Sequence, residues 1–294
     1  MPIFYPDILN ERTPPRRFTY CDRDAILYAL GIGMGGDPLD AHQLRFVYEK
    51  DLSVVPTAAT VLTKVNSGAD LGDIEPVPGL RRSGMTLEKI LHGEQKVVLH
   101  RPLARADSLF FVDRFVGAFD KGPNIGAVVV KEATWRDQRG EEVATLTSTL
   151  FARGDGGFGG PRDGQPRPHA VPGRKPDISV DLATSTGQAL LYRLSGDRNP
   201  LHADPESARR SGFARPILHG LCTYGITCRA VLQSIVNFDA DAIYSHEARF
   251  TAPVYPGETI TIDLWVDGRD ISFEARVAAR GVTVIKNGLT VLRG

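Results

Sequence analysis

The stretch Ser195-Gly196-Asp197-Arg198-Asn199-Pro200-Leu201-His202-Ala203-Asp204 sets an acid, an amide and an imidazole within six positions. Gly196 admits backbone conformations that other residues resist, Pro200 turns Asn199 away from helical geometry, and asparagine favours turns. The chain therefore folds sharply there, which lets Asp197 and His202 converge, although such residues in a turn also serve for local hydrogen bonds alone. A carboxylate and an imidazole facing one small cavity hold a water between them, one taking its proton while the other supplies a proton elsewhere. Asp204-Pro205-Glu206 reads differently, as an N-cap, a first-turn proline and a dipole-matched acid opening a short helix. Downstream, Pro216-Ile217-Leu218-His219-Gly220-Leu221 puts a glycine at the start of a long apolar run. A free N–H at a helix N-terminus is an oxyanion donor, and glycine lets a ligand carbonyl approach it. Acid, base and oxyanion donor gather around one loop and helix end.

The elements that must position these groups come in two sets. Ala25-Ile26-Leu27-Tyr28-Ala29-Leu30 aligns with Ala189-Leu190-Leu191-Tyr192-Arg193-Leu194 at an offset of 164, and Arg101-Pro102-Leu103 resembles Ala252-Pro253-Val254 farther on. Each half reads as a short helix, a loop, a longer apolar helix and several strands. The longer helices are expected over residues 54–65 and 218–235. Alternation and β-branched content predict strands over 95–100, 127–134, 143–151, 247–250, 259–266, 271–278 and 282–292. Residues 154–175, rich in glycine and proline, read as a linker between a unit over 1–153 and one over 176–294. One long helix against an antiparallel sheet is an α+β layer, and two such layers in one chain would pair their sheets.

Composition narrows the function. Lys+Arg and Asp+Glu both number 35 in 294 residues, so the basic surplus that phosphate backbones require is missing and nucleic acid is not an expected partner. No apolar run reaches the ~20 residues of a membrane span. Cys21, Cys222 and Cys228 fit no metal-ligand spacing and cannot all pair, which suggests reduced thiols and a cytoplasmic protein. Gly31-Ile32-Gly33-Met34-Gly35-Gly36 satisfies G-x-G-x-x-G but follows a helical pattern where a dinucleotide site demands a strand.

Tyr192 to His202, followed by Pro216 to Leu221, resembles the hydratase 2 motif of the MaoC-like (R)-specific enoyl-CoA hydratases. The likeness extends along the chain: Leu27-Tyr28-Ala29-Leu30-Gly31, Phe46-Val47-Tyr48-Glu49, Leu91-His92-Gly93-Glu94-Gln95, Gly156-Gly157-Phe158-Gly159-Gly160 and Ala248-Arg249-Phe250 look like the hydratase unit of type 2 peroxisomal multifunctional enzymes. The resemblance implies a double hot-dog fold and reversible syn addition of water to a trans-2-enoyl-CoA, giving a (3R)-3-hydroxyacyl-CoA in fatty acid or related acyl-CoA metabolism such as β-oxidation. Neither a metal nor a redox cofactor is implied. Carried over, Asp197 and His202 are the catalytic pair, Asn199 helps position them, and the Gly220 N–H polarises the thioester carbonyl. His92, Gly93, Lys121 and Phe250 stand where the family contacts its CoA thioester, with Tyr28 and Glu49 in support.

At the offset of 164, Gly33 stands where Asp197 does and Pro38 where His202 does. The first half thus reads as a pseudo-subunit without the catalytic pair, and the freed space around Gly31, Gly33 and Pro38 is expected to admit an acyl tail. A hot-dog thioesterase and a dehydratase acting on acyl carrier protein are the competing readings. A monomer and a homodimer are both compatible with one chain that already supplies paired sheets.

Overall fold

The computed structural model describes residues 3–64, 83–86 and 89–294. Ten strands form one sheet in the order β1-β3-β4-β5-β2-β7-β10-β9-β8-β6, every neighbouring pair antiparallel. The first half supplies β1 (Arg16–Tyr20), β2 (Ile90–Leu99), β3 (Asp107–Asp120), β4 (Ala127–Arg136) and β5 (Glu142–Ala152); the second supplies β6 (Ile178–Ala183), β7 (Ile243–Phe250), β8 (Thr259–Asp267), β9 (Asp270–Val277) and β10 (Val282–Leu292). Read outward from the centre, each half repeats the same strand order. The halves join where β2 pairs with β7, from Glu94 opposite Arg249 to Val98 opposite Ser245. All seven strands expected from alternation are present, although β2 and β7 begin several residues earlier than expected. Strands β1, β3 and β6 complete the two halves.

The helices are α1 (Asp22–Gly31), α2 (Ala41–Leu44), α3 (Gln188–Tyr192), α4 (Pro205–Arg210) and α5 (Gly220–Ser234). Eleven of the fifteen residues of α5, from Leu221 through Leu232, are buried, as befits a helix that is apolar all round. On one side it packs against the second half of the sheet, and on the other it meets α1 so closely that a Cβ at Gly225 would fall 2.6 Å from Tyr28 Oη. The larger of two core clusters therefore spans both halves, from Tyr28, Leu62 and Trp135 to Leu232, Ile262 and Phe273, while a smaller one around Ile8, Phe115 and Val129 lies within the first half.

The first half departs from the expected repeat. Over residues 54–65 the sequence predicts a second long helix, but the chain makes only a short 3-10 helix, Pro56–Thr60, with turns to residue 64; residue 65 lies outside the described residues. Val54, Val55, Thr57, Thr60 and Val61 are β-branched and lose side-chain freedom in a helix. Residues 54–62 are buried on every side, so their apolar character reflects their place beneath α5 and not a helical stripe.

Residues 154–175 contain no helix or strand, yet they are pinned to the sheet. Asp120 accepts from the N–H groups of Gly157 and Gly159 at 2.7 and 2.8 Å, the Asn287 side chain donates to the His169 carbonyl at 2.7 Å, and Trp265 Nε1 donates to the Arg174 carbonyl at 2.7 Å.

Candidate active site

The loop after α3 is shaped by two residues. Gly196 has φ +106°, in the left-handed region, and a Cβ there would sit 2.7 Å from Lys64 Cβ, so the position requires glycine both for its backbone and for the first-half segment packed on it. Asn199 caps the 3-10 helix Pro200–His202 by accepting from the Leu201 N–H at 3.0 Å, while its own N–H donates to Asp197 Oδ1 at 3.3 Å. The two bonds close the turn that carries Asp197 and His202 to the same place.

A third residue joins them. His219, the N-cap of α5, is 1% exposed, and its ring stacks on that of His202 with centroids 3.7 Å apart and planes inclined by 26°. One side-chain donor atom from each of Asp197, His202 and His219 lies within 4.8 Å of the other two. His202 Nδ1 is 2.9 Å from the Ile217 carbonyl and His219 Nε2 is 3.1 Å from the Asp197 carbonyl. A carbonyl oxygen only accepts, so these nitrogens carry the protons and the opposite nitrogens hold lone pairs. His219 Nδ1 is buried and has no hydrogen-bond partner among the described residues.

Electrostatics separate the three. Burial lowers the pKa of His202, with the Ile217 hydrogen bond and Asp197 opposing only in part, so the imidazole is neutral at neutral pH. His219 is pushed down to about 3, chiefly by burial and then by repulsion from His202. For Asp197, burial works to raise the pKa, but the positive charge of Lys64 leads the groups that outweigh it, and the carboxyl lies below its usual range. The resting cluster is a carboxylate beside two neutral imidazoles.

The other expected residues divide into those brought to this cluster and those held elsewhere. Phe250, at the end of β7, lies against the start of α5: a Cβ on Gly220 would be 3.4 Å from its ring. The His92 ring meets Phe250 edge-on at 5.1 Å, and its Nε2 is buried without a partner among the described residues. Burial, then the charge of Lys64, lowers His92 to about 4, while Asp197 pulls the other way. Gly93 sits at an irregularity where β2 shifts register against β5, and a Cβ there would come within 3.2 Å of the Thr149 carbonyl. Gly220 occupies the first turn of α5, where N–H groups have no carbonyl one turn back to receive them.

Tyr28 is fully buried beneath the cluster, 5.9 Å from the Tyr192 ring, which is itself 4.9 Å from that of His219. Lys121 is not brought in: its Nζ donates to the Arg162 carbonyl and, at 2.7 Å, to Gln165 Oε1, holding the linker. Glu49 is exposed on the turn after α2.

Side chains of the second half reach the first-half positions where space was expected. Gly33 has φ +83°, and a Cβ on it would lie 2.6 Å from Arg229 Nη1, projecting from α5; a Cβ on Gly31 would lie 3.2 Å from the Tyr192 ring, and Pro38 is exposed. Among the described residues, the Arg229 guanidinium stands beside the position that answers to Asp197. Asp204 does cap α4, accepting from Glu206 and Ser207 N–H groups at 3.0 and 3.2 Å.

Sequence reasoning passed over His219, which was read only as the neighbour of Gly220, and Lys64. A histidine directly before a glycine at a helix start was the available signal for the first; Lys64 reaches the site only through tertiary packing on Gly196.

Residues 18–154 match the family described as MFE-2 hydratase 2 N-terminal domain, and residues 168–288 the family described as MaoC like domain. Enoyl-CoA hydratase ChsH3 of Mycobacterium tuberculosis is 38% identical over 294 residues, covering 99% of each chain. The peroxisomal enoyl-CoA hydratase 2 of Arabidopsis thaliana is 35% identical, covering 98% of this chain and 94% of its own. A MaoC-like dehydratase from Phytophthora capsici superimposes with a TM-score of 0.84 at 35% identity, covering 97% of both chains.

Proposed function

Because this chain belongs to the hydratase 2 branch of the MaoC-like family, we propose that it is a hydro-lyase that reversibly adds water to trans-2-enoyl-CoA to form (3R)-3-hydroxyacyl-CoA. The observation that carries the reading is the convergence of Asp197 and His202 at the N-terminus of α5, beside the Gly220 N–H.

Hydration needs a proton taken from water as its oxygen attacks C3, and a proton delivered to C2. Asp197 is ionised and His202 Nε2 is bare, the ring proton sitting on Nδ1 against the Ile217 carbonyl, so neither the carboxylate nor Nε2 carries a proton at rest. The proton released by water is then the one available to C2, and the two groups act as a coupled unit that carries at most that one. Negative charge builds on the thioester oxygen as the bond to C3 forms. The Gly220 N–H, strengthened by the helix dipole, is the donor for it, a contribution of about 3 kcal/mol in comparable sites. His92, Gly93 and Phe250 form the wall beside that donor, against which the thioester would lie. Asn199 holds the turn, Tyr28 supports the site from below, and Lys121 and Glu49 have no assigned contact with the thioester.

The three free cysteines, Cys21 exposed and Cys222 and Cys228 buried, support a reducing, cytoplasmic setting, and the substrate class supports a place in acyl-CoA breakdown. Among the described residues no helix is long and apolar enough to cross a membrane. Since one chain supplies both halves of the sheet, a homodimer would use another surface; sedimentation at micromolar protein distinguishes the two states.

The deciding assay follows loss of the conjugated enoyl absorbance of crotonyl-CoA and then offers the product to hydroxyacyl-CoA dehydrogenases of either hand. Consumption by the (3R)-specific enzyme is expected. Release of free CoA, detected by a thiol reagent, or consumption by the (3S)-specific enzyme alone, would overturn the assignment.

A further inference from the structure

We propose that Asp197, His202 and His219 also form a binding site for a zinc-class divalent ion, and that an ion seated there closes the centre to hydration. The closing of the centre rests on the hydratase reading above; the binding of the ion does not.

One side-chain donor atom from each of the three residues already lies within 4.8 Å of the other two. Each imidazole has one nitrogen fixed by a backbone carbonyl, His202 Nδ1 on Ile217 and His219 Nε2 on Asp197, which leaves the other nitrogen with a free lone pair. Proteins orient metal-bound histidines in this way, with the second ring nitrogen donating to a carbonyl or carboxylate. His219 is 1% exposed and His202 9%, and among the described residues His219 Nδ1 has no hydrogen-bond partner. A buried nitrogen lone pair without a donor carries an uncompensated desolvation cost, and a cation offsets it.

Two imidazole nitrogens and one carboxylate suit Zn²⁺ or Co²⁺; Mg²⁺ and Ca²⁺ prefer shells built from oxygen. Donor atoms in a tetrahedral zinc shell with bonds of ~2.1 Å lie about 3.4 Å apart, so the ion draws the three groups together. Ring nitrogens hold metals in the ring plane, so the rings must also open beyond their present 26°. Both movements weaken binding and make it reversible. The consequence for chemistry is direct: the ion occupies the carboxylate of Asp197 and the bare nitrogen of His202, the two groups that must pass a proton. The hydratase reading needs no metal, and a bound one becomes an inhibitor of the site.

The test uses the full-length chain with Cys21→Ser, which removes an exposed thiol that would bind zinc independently. Zinc chloride is titrated in competition with a chromophoric chelator, with magnesium chloride as the control. One zinc per chain is expected and no magnesium, with affinity falling about 10-fold or more in His219→Gln; circular dichroism checks the fold, and His202→Gln repeats the measurement should the first variant unfold. Absence of stoichiometric zinc, or equal affinity in a folded ligand variant, overturns the site. In the activity arm, crotonyl-CoA hydration should fall in step with zinc occupancy and return with EDTA. Unchanged hydration at full occupancy would overturn the inhibition, whereas one-to-one, ligand-dependent zinc binding in a protein inactive without zinc would sink the hydratase reading and leave the ion site standing.

Discussion

Asp197 stays ionised in a setting where burial alone would protonate it, and the charge that offsets burial comes from Lys64 in the other half of the chain. His202 is kept neutral by the same burial. The pair is thus poised in opposite senses by one environment, which is how acid–base centres are commonly built. Asp197→Asn and His202→Ala should each keep the fold and lose about 10²–10⁴-fold in kcat for crotonyl-CoA. Because the two act as one relay, the double variant should be little worse than either single variant; losses that multiply would show two independent roles. This much was legible in the sequence, since Gly196, Asn199 and Pro200 announce the turn that brings the pair together. What was not legible is the stacking of His219 on His202, which depends on where α5 begins relative to a loop seventeen residues earlier.

At the scale of elements, α5 and the 3-10 helix Pro56–Thr60 show how one signal gives two outcomes. Both segments are apolar and buried, but α5 has fifteen residues free of proline, while residues 54–61 carry Pro56 and several β-branched residues that favour a tighter, shorter turn. A continuous apolar run marks burial more reliably than it marks helix. The same packing revises the role of the glycine-rich loop after α1. Gly33→Leu should cost about 1–2 kcal/mol for the left-handed backbone alone, and more from displacing Arg229. A melting point lowered by about 2–4 °C per kcal/mol is expected, with the ratio of kcat/KM for decenoyl-CoA to crotonyl-CoA unchanged. Selective loss of decenoyl-CoA turnover at an unchanged melting point would restore a tail pocket in the first half.

On the scale of the whole molecule, buried neutral histidines link stability to pH. His246 is fully buried on β7, bonded to Thr290 at 2.7 Å and Thr227 at 3.0 Å, and burial pushes it down to about 3, as it does His219. In the unfolded chain both titrate near 6.5. Between those values the unfolded state binds more protons, so stability is full above about pH 6.5 and falls as the solution is acidified. At pH 5 the loss is about 2 kcal/mol for each histidine. Urea midpoints measured from pH 7.5 to 5 should decline accordingly, with a shallower slope in His246→Gln; a midpoint independent of pH over that span would contradict it.

The join between β2 and β7 carries a consequence for how the protein can be made. The halves share a ladder and a core, whereas the segment that connects them has no helix or strand. The halves are therefore joined by the β2–β7 ladder and the common core as well as by the peptide across residues 154–175. Severed there, the protein becomes a fragment-complementation pair: one piece brings Lys64 and His92, the other Asp197, His202 and Gly220, and neither alone owns a whole reaction centre. Two separately expressed pieces should regain hydration on mixing, with a rate set by their concentrations, which would turn the ancient duplication implied by the mirrored strand order into a reversible, bimolecular switch.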